Sequence, residues 1–133
     1  MRPECEDEVG TLLKLYELAT SPRAREAQAW VLTALDATDY EAFDRQHPMG
    51  SPGWQRFNDA CGIMELFGVL VKHGLVREEV LFDLFGGIDQ LWETASAIIP
   101  GMRSALNPRL YENFELLYHR SLEWQNQRGE ASH

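Results

Sequence analysis

The chain has 133 residues, of which 44% are hydrophobic, and a formal net charge of −9. This length and apolar content fit one domain with a core large enough to fold without disulfides, and they exclude an intrinsically disordered chain. The excess of acidic residues disfavours direct binding to nucleic acids or anionic membranes, because both carry negative charge.

The first residues and the cysteines favour a cytoplasmic protein. A secretory signal has a basic start followed by an apolar run, but residues 1–9 are mainly acidic. The longest apolar runs are shorter than the roughly 18–20 residues that cross a bilayer. Cys5 lies in a polar segment and Cys61 in an apolar one. We therefore expect reduced thiols, a cytoplasmic location and no membrane partner.

Dipeptides that contain proline mark three helix starts, Ser-Pro at 21–22 and 51–52 and Asn-Pro at 107–108. The first residue of each pair can accept a hydrogen bond as an N-cap, and proline fits the first helical position. Apolar spacing of three and four residues then predicts an all-α bundle of five or six helices in one domain, residues 1–133. The predicted helices cover residues 7–19, 22–35, 52–73, 76–85, 88–99 and 108–126, with 1–6 and 127–133 frayed.

The segment 37–50 is a polar connection between the second and third helices. Residues 39–46 are predicted to form one short helical turn, which ends before Pro48 because a residue before proline avoids the α region. Connections of this length in a domain are often functional or mobile, so this one is the leading candidate for a mobile segment.

The third helix, residues 52–73, is predicted to lie at the centre of the fold. Its apolar residues cover so much of its circumference that more than one helix should pack against it. Gly62 and Gly68 each cost about 1 kcal/mol in helix propensity relative to alanine, which predicts the close approach of another helix. Gly74 is predicted to follow the helix end, where glycine adopts a left-handed conformation easily.

Several short motifs in the middle of the chain resemble those of a known protein family. Residues 67–76 read F-G-V-L-V-x-x-G-L-V, and an acidic pair, V-L-F-D-L-F-G-G at 80–87 and a tryptophan follow. An earlier R-E-A-x-x-W-V-L occupies residues 25–32. Over residues 21–118 the chain therefore resembles a bacterial family of small all-helical proteins of unknown function. The resemblance implies an all-α fold and supplies no activity, substrate or catalytic residue.

Glu65, Trp54 and Trp92 are the candidate ligand-binding residues. Glu65 lies among apolar neighbours, where a carboxylate can serve as a polar anchor or a general acid. Trp54 and Trp92 would then form the walls of a pocket between the third, fifth and sixth helices. In the more ordinary interpretation the tryptophans belong to the core and Glu65 forms an ion pair. Its candidate partners are Arg56, Lys72 and Arg77.

No motif for catalysis, a cofactor or a metal is recognisable in the sequence. The phosphate loop, the dinucleotide fingerprint and the nucleophile elbow are all missing. Glu115 and His119 share a helix face, but the Glu-x-x-His spacing of di-iron bundles fails because Tyr118 follows Glu115 by three positions. We interpret them as a solvated surface pair, and we predict no catalytic residue, no metal ligand and no cofactor.

Two functions fit these observations. The first is a non-enzymatic interaction or regulatory module that binds a protein partner or forms a homodimer, since nearly every helix carries a broad apolar stripe. The alternative is a small-molecule-binding protein or minor enzyme that uses the pocket beside Glu65. A third and weaker hypothesis, an acidic mimic of nucleic acid, requires carboxylates along one face, and these are scattered.

Overall fold

Eight helices make up the part of the chain that the computed structural model describes, which is residues 3–131 with the side chains of residues 8–129. No strand occurs in this part, so the all-α prediction is confirmed, although with eight helices instead of five or six. The predicted reduced thiol of Cys5 and the predicted fraying of residues 1–2 and 132–133 lie outside what is described. Residues 3–6 and 127–131, also predicted to be frayed, belong to the first and last helices. The helices are α1 Pro3–Ala19, α2 Pro22–Thr33, α3 Tyr40–Gln46, α4 Pro52–Lys72, α5 Glu78–Leu84, α6 Ile88–Ala95, α7 Ile99–Ala105 and α8 Glu112–Ala131.

Both predicted serine caps are confirmed. The Ser21 hydroxyl accepts a hydrogen bond from the Ala24 N–H at 3.2 Å, and the Ser51 hydroxyl accepts one from the Trp54 N–H at 3.4 Å. A proline follows each serine at the start of its helix, where the missing N–H costs no hydrogen bond. Local sequence chemistry therefore sets the starts of α2 and α4.

The largest differences between predicted and observed helix boundaries lie at the end of α6 and at the start of α8. The predicted helix 88–99 ends at Ala95, and α7 begins separately with Pro100 in its first turn, because proline lacks the N–H that would continue α6. The predicted start at Pro108 is wrong. Asn107 instead accepts a hydrogen bond from the Arg109 N–H at 2.9 Å in a local turn, and α8 begins at Glu112.

The polar connection between α2 and α4 is anchored in the core. The Asp39 carboxylate accepts a hydrogen bond from the Ala42 N–H at 2.8 Å, which caps α3 and confirms the predicted short helix. Phe43 on α3 is fully buried, and its ring centroid lies 4.9 Å from that of Phe57 on α4. The segment predicted to be mobile therefore contributes one of the large core side chains.

Helix α4 is the centre of the fold, as predicted. It packs against α2, α8 and α6. At its end the Leu75 N–H donates to the Leu70 carbonyl at 2.9 Å, and the Gly74 N–H donates to the Val71 carbonyl at 3.1 Å. Gly74 has a φ of 70°, so the helix ends in a Schellman motif and the prediction for this glycine is confirmed.

Side chains of helix α1 contact residues at both ends of α5. Near the start of α5 the Glu8 carboxylate accepts a hydrogen bond from the Arg77 Nε at 3.1 Å, and this bond lowers the pKa of Glu8. Near the end of α5 the Tyr16 ring lies 6.2 Å from the Phe85 ring.

Among the described residues, no helix is both long enough and apolar enough to cross a membrane.

Candidate functional site

The carboxylate of Glu65 on α4 binds the first turn of α8. One oxygen, Oε1, accepts hydrogen bonds from the backbone N–H groups of Asn113 and Phe114, both at 2.9 Å. The other oxygen, Oε2, accepts a hydrogen bond from the Asn113 side-chain amide at 2.8 Å. These N–H groups belong to the helix start and have no partner within α8. The carboxylate therefore acts as the N-cap of a helix that lies far away in the sequence.

This geometry corrects the predicted ion pair of Glu65. Arg56 binds Glu26 at 2.7 Å, and Arg77 binds Glu8. The positive partner of Glu65 is instead the N-terminal end of the α8 dipole, which attracts a negative group. The carboxylate is half-buried and engaged through both oxygens, and its contacts are structural.

Gly68, one turn after Glu65, lets α8 approach the backbone of α4. A Cβ atom at this position would lie 2.0 Å from the Asn113 carbonyl oxygen. The predicted close approach is therefore confirmed at Gly68. It is wrong at Gly62, where a Cβ atom would meet nothing within 4 Å.

The residue before α8 has an unusual backbone conformation. Tyr111 has a φ of 58°, in the left-handed region that residues other than glycine rarely adopt. Its hydroxyl donates a hydrogen bond to the Asn58 side-chain oxygen on α4, and burial raises the pKa of this hydroxyl. The buried ring and its hydrogen bond hold the strained turn that directs α8 toward Glu65.

The three predicted site residues do not meet at one place. Trp54 and Glu65 lie eleven residues apart on α4, about 16 Å along the helix axis. Trp92 on α6 is buried and packs edge-on against Phe114, with 5.1 Å between ring centroids. Since Phe114 also donates its N–H to Glu65, Trp92 and Glu65 approach the same residue. The pocket between α4, α6 and α8 stays a prediction, and its proposed polar anchor is already engaged.

Glu115 and His119 form the surface pair that the sequence indicated, with 3.8 Å between His119 Nε2 and Glu115 Oε2. The stronger partner of Glu115 is Arg103 on α7, whose Nη1 lies 2.9 Å from Oε1. Arg103 also donates from Nε to the Leu110 carbonyl at 2.7 Å. Arg103 therefore ties α7 to the turn before α8. Among the described side chains, no group of three or more histidine, cysteine or acidic residues is placed to hold a metal ion.

A salt bridge near the start of α2 compensates for a cation in an unfavourable position. Arg23 lies near the helix N-terminus, where the dipole disfavours cations. Its Nε lies 2.8 Å from the Asp59 carboxylate on α4. This negative charge offsets the unfavourable position of the Arg23 cation. Cys61 on the same helix is fully buried, and burial raises the pKa of its thiol, as expected for a small core residue.

The outward face of α1 carries a stripe of exposed apolar side chains. Val9, Leu13 and Tyr16, at spacings of four and three residues, are 56%, 62% and 48% exposed. In the sequence they form one apolar stripe with Leu12 and Ala19, a pattern typical of a helix face that packs on the core. In the structure Leu15 and Ala19 are the buried residues of α1. On a helix, Val9, Leu13 and Tyr16 share one face, and Leu15 and Ala19 share an adjacent face. Helical spacing therefore separates the exposed residues from the buried ones.

Removing the Glu65 cap tests its role. We expect Glu65→Ala to lower the free energy of unfolding by about 2–3 kcal/mol, because backbone N–H groups at the α8 start lose a charged acceptor. Glu65→Gln should lie between this variant and the native chain, since the amide keeps one acceptor oxygen. Urea denaturation followed by circular dichroism measures both.

Glu123→Ala is the matched control, because Glu123 is an exposed residue of α8. Its unfolding free energy should stay within about 0.5 kcal/mol of the native value. Equal losses for the variants at positions 65 and 123 would contradict the capping role.

One protein family matches most of the chain. Its description is "Domain of unknown function (DUF4760)", and the match covers residues 7–121. No curated protein and no solved structure is detectably similar to the chain. The matched range contains α1 from residue 7, all of α2 to α7, and α8 as far as Ser121.

Proposed function

The chain belongs to the DUF4760 family of domains of unknown function, and we propose that it is a non-enzymatic interaction module that binds a basic amphipathic helix of a partner protein. The binding surface is the outward face of α1, and the observation that carries the proposal is the exposed stripe of Val9, Leu13 and Tyr16. Large apolar residues grouped on one face of a helix are typical of surfaces that bind another protein.

The charge of α1 indicates the partner. The helix contains five acidic residues and one lysine, a formal charge of −4, within a chain of net charge −9. A partner helix with leucine-type residues on one face and lysine or arginine beside them would match the apolar stripe and the acidic helix together. A second copy of the chain would bring another nine negative charges to the interface, which disfavours the homodimer relative to a basic partner.

A designed peptide tests the proposal directly. The probe is an 18-residue helical peptide with leucine on one face and lysine on the other, labelled for fluorescence anisotropy. We expect saturable 1:1 binding that weakens as salt is raised, because screening reduces the charge attraction. A peptide with glutamate in place of every lysine should bind at least about tenfold more weakly.

Substitutions locate the binding surface. Leu13→Gln combined with Tyr16→Gln should weaken binding of the Leu/Lys peptide at least about tenfold, since both residues are exposed and their loss removes apolar contact area. Leu106→Gln is the matched control, because Leu106 is similarly exposed, at 51%, and directly follows the end of α7. Equal binding by the stripe variant and the control would overturn the proposal.

Light scattering distinguishes the two molecules that could bind the α1 stripe, a basic partner helix and a second copy of the chain. The proposal expects a monomer without the peptide and a 1:1 complex with it. A dimer that dissociates when Leu13 and Tyr16 are replaced would assign the stripe to a second copy and would reject the basic partner.

A further inference from the structure

A small cavity lies between α5, α6 and α8, away from the α1 face. Its volume is about 130 Å³. Three aromatic residues form its walls, Phe82 and Phe85 from the α5 region and Trp124 from α8. The Phe82 and Trp124 ring centroids are 5.6 Å apart, with an angle of 50° between the rings. A cavity of about 150 Å³ is large enough for a molecule the size of benzene.

The aromatic walls are held in place by the core. Phe82 is buried, and Phe85 packs on Phe67 with 4.8 Å between ring centroids. Gly87 completes the rim with a φ of 82°, a conformation that glycine adopts without strain. The cavity is therefore formed before any ligand arrives.

Two of the polar side chains that line the cavity, Asp89 and Ser121, supply acceptor oxygens. Asp89 on α6 is half-buried, and among the described residues no cationic side chain forms a salt bridge with it. Ser121 on α8 donates its hydroxyl hydrogen to the Tyr118 carbonyl at 2.9 Å, which leaves its oxygen as an acceptor. No lysine or arginine lines the cavity.

Trp124 already binds one cation on the outside of the cavity. The Arg128 guanidinium lies 4.6 Å from the centre of the Trp124 ring. Arg128 is not among the residues that line the cavity, so this contact leaves the cavity itself open. The faces of aromatic rings carry negative potential and attract cations, and aromatic cages bind quaternary ammonium groups in this way.

From these contacts we propose that the cavity binds a trimethylammonium group. Phe82, Phe85 and Trp124 surround the methyl groups, and the Asp89 carboxylate balances the charge. The N-terminal end of α6 opposes a cation with about half a positive charge, which the full negative charge of Asp89 exceeds. The rest of the ligand extends outward past Gln125 at the exposed edge. The Phe85 ring also lies 6.2 Å from Tyr16 of the α1 stripe. No residue of α1 lines the cavity, so the choline and peptide experiments probe different surfaces and either proposal can fail alone.

Choline and its neutral isostere 3,3-dimethylbutan-1-ol test the proposal on the native protein. The two molecules have nearly the same shape and differ in charge, so a cation site must distinguish them. We expect choline to shift the amide NMR signals of residues 86–89 and 121–125 with saturation, and to bind at least about tenfold more tightly than the alcohol. Equal binding of the two molecules, or no saturable shift with choline, would overturn the proposal.

Two single-charge variants test the role of Asp89. Asp89→Asn should weaken choline binding at least about fivefold, because the counter-charge is lost. Glu93→Gln removes the same charge one turn later on α6, at an exposed position, and should leave the affinity within about twofold. The same loss in both variants would show a general charge effect and would reject the site. A peptide that contains trimethyl-lysine carries the same headgroup as choline, so comparing the two affinities shows whether the site prefers a modified side chain or a small molecule.

Discussion

Replacing Gly68 with alanine is expected to lower the free energy of unfolding by about 3 kcal/mol. The new Cβ atom would lie 2.0 Å from the Asn113 carbonyl oxygen, which belongs to backbone and cannot rotate away. The start of α8 would have to move outward, and its hydrogen bonds to Glu65 would lengthen. Urea denaturation followed by tryptophan fluorescence measures the loss.

Gly62→Ala is the matched control on the same helix and should have the opposite effect. A Cβ atom at Gly62 meets nothing within 4 Å. Alanine has the higher helix propensity, so this variant should gain about 0.5–1 kcal/mol. Two variants with the same sign would contradict the packing of α8 against Gly68.

Replacing Trp92 with alanine is expected to cost about 3–5 kcal/mol. Trp92 is only 9% exposed and packs edge-on against Phe114 and stacked on Tyr118, with ring centroids 5.1 Å and 5.9 Å away. The substitution removes a large buried ring and leaves a cavity between α6 and α8. Thermal and urea unfolding of the variant measure the cost.

Trp92→Phe serves as the graded control, because it keeps an aromatic ring in contact with Phe114. It should lose less than half as much stability as the alanine variant. A loss below about 1 kcal/mol for Trp92→Ala would mean that the ring contributes little to the core, and would make a binding role for Trp92 more plausible.

Features encoded by neighbouring residues could be predicted from the sequence. Ser21 and Ser51 accept hydrogen bonds from N–H groups three positions ahead. At the end of α4, the N–H groups of Gly74 and Leu75 donate to carbonyls three and five positions before them. The alternation of apolar residues on α4 likewise indicated its central place. In each case the interacting residues lie within one or two helical turns of each other, so a short stretch of sequence contains both partners.

Features that depend on distant residues could not be predicted. Glu65 binds N–H groups that follow it by 48 and 49 positions, so the sequence around it suggested only local ion pairs. Asn107-Pro108 has the pattern of a helix start, yet the left-handed turn at Tyr111 delays α8 because Tyr111 reaches Asn58 on α4. Tertiary contacts prevailed over local preference at both places.

The candidate surfaces were only partly foreseeable. The apolar spacing of α1 was recognised, but periodicity alone assigned Val9, Leu13 and Tyr16 to the core, and the neighbouring helices leave them exposed. Trp124 is one of several aromatic residues at helical spacing, a pattern that fits a core residue as well as a pocket wall. Its partners Phe82 and Phe85 come from α5, and only the packing of α5 on α8 brings the three rings together.

The cap that Glu65 provides has a consequence for building chimeras from related chains. Helix α8 is not a portable segment, because part of the information that starts it is stored on α4, in Glu65, Gly68 and the Tyr111 partner Asn58. A donor α8 grafted without these acceptor positions would begin with backbone N–H groups that have no partner. Recombination points that keep residues 58–68 and 111–114 from the same parent should therefore give folded hybrids more often than points that separate them.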